Sequence, residues 1–157
     1  MLTKGEKKKI ELFAPAKCQV IPIHEVEDAV FSQKVVGDGC AILPYEDMIC
    51  SPVNGEVTLV FRTNHAIGIK SEEGIELLIH IGIDTVELKG EGFENQVKLG
   101  DQVKIGTPLS KIDRAFITAQ GKSLQTPIVI TNDYHVVQVE KGEKNVGALM
   151  MKVVKNN

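Results

Sequence analysis

The sequence has few aromatic residues and no excess of positive charge. Its 157 residues include no Trp, and aromatic residues make up only 4% of the chain, so any core must be mostly aliphatic. The formal net charge is −3. This charge argues against nucleic acid as the main partner, because phosphate backbones are bound by an excess of Lys and Arg.

Cysteine is also scarce, and long apolar runs are absent. Cys18, Cys40 and Cys50 are an odd number and form no C-x-x-C pair, so we expect no disulfide framework and a reducing compartment. No apolar run is long enough to cross a bilayer, and the N-terminus has no apolar segment of a secretory signal. We therefore expect a cytoplasmic protein without direct membrane insertion.

The length fits one domain with a sizeable core. Residues 1–9 are polar and Lys-rich, which predicts a flexible tail. Residues 10–157 are predicted to form a single domain. A phosphate loop of the G-x-x-x-x-G-K-[ST] type is missing, so direct ATP binding is not expected.

Short segments rich in Val, Ile and Thr alternate with Gly and Pro turns, which predicts many short strands. Residues 11–23 and 51–60 repeat one design, in which a small residue and a proline form a turn before an alternating strand. The Asn54-Gly55 pair predicts a hairpin turn, because both residues accept positive φ. Residues 37–39 predict a tight turn.

Helical signals are few. Residues 113–121 are the best helix candidate, with Asp113 as N-cap and Gly121 as stop. Residues 24–31 form either a single helical turn or an acidic loop. Together these patterns predict an all-β fold, an antiparallel β-sandwich with an internal pseudo-repeat and one or two short helices.

The most informative stretch is residues 74–88, G-I-E-L-L-I-H-I-G-I-D-T-V-E-L. Apolar residues alternate from Ile75 to Ile83, which predicts a strand with one face in the core. His80 lies on the opposite face. Residues 62–69 repeat the arrangement around His65. We expect the two imidazoles to meet at a shallow, water-accessible spot, where they can share one bound group.

These segments resemble the glucose-type enzyme IIA domain of the bacterial sugar phosphotransferase system. The H-x-G-x-D-T-V core is long and specific, and the similarity runs from about residue 12 to residue 155. The matching segments are V-G-D-G at 36–39, T-N-H-A at 63–66, residues 74–88, G-E-G-F at 90–93 and T-P-I-V-I-T-N at 126–132.

The resemblance implies a phosphocarrier. His80 would accept a phosphoryl group from the phosphohistidine of the histidine phosphocarrier protein HPr. It would then pass the group to a cysteine on the IIB domain of a glucose-type sugar transporter. His65 would stabilise the phosphoryl group, and Thr63 would orient His65. The protein would be a monomeric phosphotransferase component that forms a phosphohistidine and requires no cofactor, and its phosphorylation state would be read by regulatory targets.

The resemblance also implies a docking face for these partners. Asp28 and Asp84 match the acidic pair that flanks the family's site, and they could meet Arg residues of either partner. Ile67 and Leu78 are aliphatic where enteric relatives have aromatics. The apolar interface positions are Phe31, Val35, Val36, Phe61, Ile67, Leu78 and Val86.

Two other classes compete with the phosphocarrier. Zinc peptidases with a related duplicated sandwich use a His-x-His pair, but residues 78 and 82 are Leu and Gly, so a third strong ligand is missing. No metal is obligatory, although His65 and His80 can hold Zn²⁺ weakly with a partner's carboxylate. The other alternative is a pure binding or regulatory module. We interpret His24 and His135 as surface or structural residues.

Overall fold

The computed structural model of the protein describes residues 6–157. The described part is built mainly of short strands, with two short α-helices, α1 (Ala29–Ser32) and α2 (Arg114–Ala119), and 3-10 turns at Ile23–Glu25 and Thr85–Leu88. The strands are β1 (Ile10–Phe13), β2 (Cys18–Pro22), β3 (Asp38–Pro44), β4 (Met48–Cys50), β5 (Gly55–Val60), β6 (Ala66–Ser71), β7 (Glu76–His80), β8 (Phe93–Asn95), β9 (Gln102–Val103), β10 (Pro108–Ile112), β11 (Thr126–Ile130), β12 (Tyr134–Val139), β13 (Gly142–Lys144) and β14 (Leu149–Lys155).

The strands form one large and two small antiparallel sheets. The large sheet has the order β13-β2-β3-β11-β7-β6-β5-β9, and the small sheets have the orders β1-β14-β12 and β4-β10-β8. The architecture confirms the predicted all-β antiparallel sandwich with short helices.

The sheets enclose an aliphatic core, as the scarcity of aromatic residues predicted. Alternate residues of the large sheet point inward, because successive strand side chains face opposite sides. Each fully buried Leu or Ile side chain contributes about 1.5–3 kcal/mol relative to exposure. The largest fully buried side chains are Leu12, Ile42, Ile49, Ile67, Ile69, Ile75, Ile79, Ile81, Leu109, Ile112, Ile117 and Ile128.

The predicted internal repeat appears as reciprocal hydrogen bonds. The amide of Phe13 donates to the carbonyl of Pro52 (3.1 Å), and the amide of Cys50 donates to the carbonyl of Pro15 (2.7 Å). The two copies therefore exchange equivalent bonds across a pseudo-two-fold relation. The flanking bonds match in the same way: Ala14 N–H to Ala148 O, Gly147 N–H to Ala14 O, Ser51 N–H to Thr107 O and Gly106 N–H to Ser51 O.

The prediction of a hairpin turn at Asn54-Gly55 is wrong. Gly55 begins β5, and neither residue has positive φ. The strand before the turn, β4, pairs with β10, whereas β5 pairs with β6 and β9. In both copies of the repeat, the two strands thus belong to different sheets. Glycine is needed at position 55 because the neighbouring strand lies very close: a Cβ there would be 2.2 Å from the carbonyl oxygen of Lys70.

Residues 37–39 also differ from the predicted tight turn. Asp38 and Gly39 already belong to β3, which pairs with the central strand β11. A Cβ at Gly39 would lie 2.1 Å from the carbonyl oxygen of Ile128, and one at Gly37 would lie 1.9 Å from that of Ile130. The glycines are required by strand proximity rather than by a turn.

The two short helices confirm the candidate segments. The Asp113 side chain accepts a hydrogen bond from the Phe116 amide (3.0 Å) at the start of α2, and Gly121 follows its end with φ +78°. Asp28 caps α1 in the same way, accepting from the Val30 amide at 2.9 Å. A carboxylate at this position satisfies an amide that has no partner within the helix.

The segment from Ile23 to Val36 covers the outer face of the large sheet, opposite the main core. Its buried side chains pack against residues of β3 and β11 that point outward, such as Ala41 and Val129. This second cluster places α1 beside the end of β7. Its buried members are Ile23, Val26, Phe31, Ala41, Ile83 and Val129.

The predicted flexible tail falls partly outside the described residues, which begin at Glu6. Residues 6–9 precede β1 without regular secondary structure, and the Lys7 ammonium donates to the Lys155 carbonyl. The division into a tail at 1–9 and one domain at 10–157 stays a prediction. Within residues 6–157, no helix is both long enough and apolar enough to span a bilayer.

Candidate functional site

The site lies where β7 ends beside the start of β6. His80 is the last residue of β7 and pairs with Ala66, the residue that follows His65. The two imidazole centroids are 4.9 Å apart, and the ring planes meet at 81°. The structure therefore brings together the two histidines that the sequence singled out.

The strand predicted over residues 74–88 ends earlier than its alternation suggested. After His80 the chain turns through Gly82 (φ +80°) and Asp84 (φ +59°) into the 3-10 turn at Thr85–Leu88. The buried Thr85 hydroxyl fixes this turn by donating to the Ile81 carbonyl at 2.6 Å. Burial alternates only as far as Ile81, after which Gly82 and Ile83 are both buried, and Ile83 packs in the second cluster rather than in the main core.

The turn after β7 holds the ring of His80. Its Nδ1 lies 2.8 Å from the carbonyl oxygen of Gly82. A carbonyl only accepts, so Nδ1 must carry the hydrogen, and the lone pair of the neutral ring is on Nε2. The predicted arrangement, with one ring nitrogen held by a backbone carbonyl, is present.

Thr63 contacts the second imidazole as expected. Its Oγ1 lies 2.7 Å from Nδ1 of His65. When the hydroxyl donates to Nδ1, the ring carries its hydrogen on Nε2 and becomes a donor. The loop between them turns at Asn64, whose φ is +60°.

The expectation of a shallow, water-accessible pair is wrong for one ring. His65 is only 2% exposed, whereas His80 is partly buried. The Phe61 ring packs edge-on against His65 at 5.3 Å, and the Phe31 ring lies 4.9 Å from His80. His80 is thus the more accessible imidazole, and His65 is buried beside it.

Burial lowers the pKa of both histidines. For His65 the causes are desolvation by burial and then the neighbouring His80. For His80 desolvation also dominates, and the Gly82 carbonyl and the carboxylates of Asp28 and Asp84 oppose it by raising the pKa. Both rings are therefore neutral at pH 7, which leaves the Nε2 lone pair of His80 available.

The acidic pair predicted from the resemblance flanks the site. Asp28 is held as the cap of α1, and Asp84 is exposed in the turn after β7. Both act electrostatically on His80. They come from segments 56 residues apart in sequence (84 − 28), so the fold rather than local sequence places them together.

The residues of the predicted apolar interface differ in exposure, and two of them contact the histidines: the Phe31 ring lies beside His80 and the Phe61 ring beside His65. Val35 and Val86 are open to solvent, at 72% and 51% exposed. Val36, Phe61 and Leu78 are partly buried. Phe31 is buried, belongs to the second cluster against which Val36 and Leu78 pack, and contacts the His80 ring.

The assignment of Ile67 to the interface is wrong. Ile67 is fully buried in the main core, because it pairs with the inward-facing Ile79 of β7. The β6 residue on the site face is Gly68, which pairs with Leu78. A Cβ at Gly68 would lie 2.8 Å from the Cβ of Leu59. The sequence did not reveal Gly68 or Leu59 as residues of this face. Gly68 has no apolar side chain, and Leu59 follows a β-bulge that shifts the alternation of β5.

Metal and thiol chemistry have little support in the described residues. Among residues 6–157, no three His, Cys, Asp or Glu side chains are grouped to hold a metal ion. Weak zinc binding by His65 and His80 stays a prediction. Cys18, Cys40 and Cys50 are free, and burial raises the pKa of each thiol, that of Cys18 to about 11, which makes them poor nucleophiles.

Comparison with known proteins gives concordant matches. The family model described as the phosphoenolpyruvate-dependent sugar phosphotransferase system, EIIA 1, matches residues 10–136. The chain is 44% identical over 147 residues to the PTS system glucose-specific EIIA component of Staphylococcus epidermidis, covering 88% of this chain and 89% of that protein. It is 50% identical over 124 residues to the PTS system glucose-specific EIICBA component of Staphylococcus saprophyticus, covering 79% of this chain and 18% of that protein.

A solved structure agrees with these sequence matches. Glucose permease IIA from Mycoplasma capricolum superposes with a TM-score of 0.88 at 35% identity, covering 97% of this chain and 99% of that one. Fold and sequence together define a component of the sugar phosphotransferase system. Within that system, the chain belongs to the EIIA 1 family.

Proposed function

We propose that this chain is a phosphocarrier in which Nε2 of His80 accepts a phosphoryl group and later releases it. The observation that carries the proposal is the hydrogen bond from His80 Nδ1 to the Gly82 carbonyl. It directs the lone pair of a neutral, partly exposed imidazole away from the backbone. His65 lies close enough to assist.

Acceptance is a direct transfer between two imidazoles. The Nε2 lone pair of His80 attacks the phosphorus of the phosphohistidine on HPr, forming one N–P bond as the donor N–P bond breaks. The donor ring keeps the bonding pair and becomes neutral, while His80 becomes a phosphorylated imidazolium. The Gly82 carbonyl, Asp28 and Asp84 favour that positive ring, as their effect on the His80 pKa indicates.

Release reverses the electron flow. A cysteine thiolate on a IIB domain attacks the same phosphorus, an S–P bond forms, and the neutral His80 leaves. His65, with its hydrogen on Nε2, donates to a phosphoryl oxygen while Thr63 holds its ring. Positioning and donors for the phosphoryl oxygens are most of what such a transfer requires.

The face around the histidines and the relatives support the proposed partners. Exposed Val35 and Val86 next to Asp28 and Asp84 suit a small apolar docking face with an acidic rim, which fits basic residues on HPr and on the IIB domain. The S. saprophyticus relative is named as one EIICBA component. A glucose-type sugar transporter is therefore the proposed acceptor, and the added charge of phospho-His80 offers regulatory targets a signal to distinguish the two states.

The proposal is tested by following each half of the transfer with purified protein. His80→Gln should accept no phosphate from phosphorylated HPr. His65→Gln should still accept one equivalent but donate to the IIB domain about 100-fold more slowly, the usual effect of removing one well-placed donor.

The matched control is His135→Gln. This exposed histidine on β12 bonds to the Asn156 side chain and has no contact with the site, so both half-reactions should keep their wild-type rates. Stoichiometric labelling of His80→Gln would contradict the acceptor assignment. Donation by His65→Gln at the wild-type rate would contradict the assisting role.

A further inference from the structure

The His65 loop is fastened to a different sheet by a pair of asparagines. Asn64 lies in the β5–β6 loop between Thr63 and His65, and its Oδ1 accepts a hydrogen bond of 2.9 Å from Nδ2 of Asn95. Asn95 is the last residue of β8, in the small sheet β4-β10-β8. This side-chain bond therefore links the loop that carries His65 to a separate part of the sandwich.

The loop depends on the conformation of Asn64. The Asn64 amide donates to the Phe61 carbonyl at 2.8 Å, and the Phe61 amide donates to the Ala66 carbonyl at 3.0 Å, which closes a tight connection. This path needs the left-handed backbone at Asn64 (φ +60°), which most side chains adopt only at a cost. Asparagine tolerates the conformation, and the bond from Asn95 adds a tertiary contact that favours it.

The same loop sets both contacts of His65. Thr63 before the turn meets Nδ1 of the ring, and the His65 carbonyl after it accepts from the Ile81 amide at 2.7 Å. If Asn64 left the left-handed region, the direction of the chain between Thr63 and His65 would change. The ring would then lose its alignment with Thr63 and with His80.

Asn95 has a buried side-chain oxygen without a hydrogen-bond partner, which is unfavourable for the stability of the fold. Among the described residues, two buried side-chain polar atoms have no hydrogen-bond partner, and they are Asn95 Oδ1 and Ser110 Oγ. Ser110 lies directly opposite Asn95 in the β8–β10 pairing. A buried carbonyl oxygen without a donor costs free energy that an apolar side chain would avoid, so such an atom calls for an explanation.

We propose that Asn95 is a positioning residue for His65, acting through the left-handed turn at Asn64. The proposal rests on the proposed function for its effect on transfer, because His65 is taken as the group that assists release of the phosphoryl group. Asn95 itself touches neither histidine. Its effect should therefore fall on donation from His80 and not on the reactivity of the His80 lone pair.

The first test is Asn95→Leu, which keeps the approximate size of the side chain and removes the unpartnered oxygen. Acceptance from phosphorylated HPr should stay within about two-fold of wild type, and donation to the IIB domain should fall about ten-fold or more, since small misplacements of a catalytic group are costly. Nitrogen-15 NMR should show His65 changing from mainly Nε2–H to a mixture of tautomers. Wild-type donation with an unchanged His65 spectrum would overturn the proposal.

Ser110→Ala is the matched control. It alters the same strand pair and also removes an unpartnered buried oxygen, but Ser110 has no bond to Asn64. Donation and the His65 tautomer should stay as in wild type. An equal loss in Ser110→Ala would show that disturbance of the small sheet, and not the asparagine contact, causes the effect.

Two further variants test the route through Asn64. Asn64→Ala loses the acceptor and disfavours the left-handed backbone, so it should reproduce the donation defect even if Asn95→Leu fails to fold. Glycine adopts positive φ freely, so Asn95→Leu should cost less donation in an Asn64→Gly background than in wild type. Equal costs in the two backgrounds would overturn the route through the turn.

The NMR measurement separates failure of this inference from failure of the proposed function. If wild-type His80 accepts no phosphate, the phosphocarrier proposal fails, but the His65 tautomer in Asn95→Leu still reports on positioning. If wild type transfers phosphate normally and Asn95→Leu keeps both the tautomer and the donation rate, only the role of Asn95 is wrong.

Discussion

At the residue scale, the environments of the two imidazoles divide their chemistry. His80 presents its Nδ1 hydrogen to the Gly82 carbonyl, which leaves the lone pair on Nε2. His65 is almost completely buried and meets a hydroxyl, which can donate or accept. The two rings therefore meet different partners, a backbone carbonyl and a hydroxyl, although the side chains are identical; under the proposed function, the first suits a nucleophile and the second a donor.

The lowered histidine pKa values predict a specific acid sensitivity. Below pH 6.5, the ordinary value for histidine, the unfolded chain binds protons that the folded rings of His65 and His80 still exclude. The free energy of unfolding should therefore decrease as the pH falls from about 6.5 to the folded-state pKa values, and this contribution should level off below them.

Urea unfolding at a series of pH values between 7.5 and 5 measures this effect. The His65→Gln variant should lose less stability on acidification than wild type, because it lacks one of the two excluded protonation sites. His135→Gln serves as the reference, because the His135 side chain is exposed. A steeper loss in His65→Gln than in wild type would contradict the pKa direction.

The sequence predicted the positions of some site residues correctly and those of others incorrectly. His80, His65 and Thr63 could be found because a specific motif surrounds them, and their contacts agree with the expected geometry. Ile67 was assigned to the interface by the resemblance, whereas its pairing with the inward-facing Ile79 places it in the main core. Burial of His65 depends on long-range packing, which single-sequence periodicity does not contain.

At the element scale, α1 has two roles that one substitution can separate. Asp28 caps the helix by accepting from the Val30 amide, and its charge also raises the His80 pKa. Asn caps helices about as well as Asp, whereas Ala does not. Asp28→Ala should therefore lower the free energy of unfolding by about 1 kcal/mol, and Asp28→Asn should change it little.

Both variants should lower the His80 pKa, because both remove the carboxylate. Histidine NMR titration measures this value, and chemical unfolding measures the cap. If Asp28→Asn destabilises the fold as much as Asp28→Ala, the capping account is wrong. If neither variant lowers the His80 pKa, the electrostatic account is wrong.

The central strand pair β3–β11 depends on a close backbone approach. A Cβ at Gly39 would lie 2.1 Å from the Ile128 carbonyl oxygen and 2.8 Å from the Val129 Cα, and neither backbone atom can move alone. Gly39→Ala should destabilise the protein by more than about 2 kcal/mol, as overpacking in a rigid core does. Thermal or urea unfolding measures the change.

Gly106→Asn is the reference for this prediction. Gly106 has φ +90° and no atom within 4 Å of an added Cβ, so Asn there should cost about 1 kcal/mol or less. A Gly39→Ala variant as stable as Gly106→Asn would show that β3 can move away from β11.

Element boundaries were harder to predict than element types. The capped helix α2 was predictable because its N-cap and stop signals are local. The Asn54-Gly55 hairpin was wrong because turn propensity says nothing about which sheet each strand joins, and β4 and β5 join different ones. The end of β7 depends on the Thr85 hydroxyl, a contact that alternation cannot reveal.

At the scale of the whole molecule, duplication explains why the general fold was predictable. Two similar proline-containing segments in the sequence become two strand pairs that exchange reciprocal hydrogen bonds. Many short apolar strands with few helical signals allow little other than an antiparallel sandwich. The sheet order was not predictable, since it is determined by contacts between residues far apart in the chain.

The fold also explains the position of the candidate site. Residues 23–36 cover the outer face of the large sheet on one side of His80. The turn after β7 lies on the other side. The histidines therefore lie in a frame fixed by the central strands β6, β7 and β11. Such a frame suits the proposed function, in which His80 meets two partners in turn.

The most direct test of the account is to locate the phosphate on wild-type protein. The chain is incubated with phosphoenolpyruvate, the first enzyme of the relay and HPr, and the phosphorylated atom is identified by mass spectrometry and by phosphorus-31 and nitrogen-15 NMR. The account predicts one acid-labile, base-stable phosphate on Nε2 of His80, because Gly82 occupies Nδ1. Phosphate on Nδ1, on another residue, or on none would contradict it.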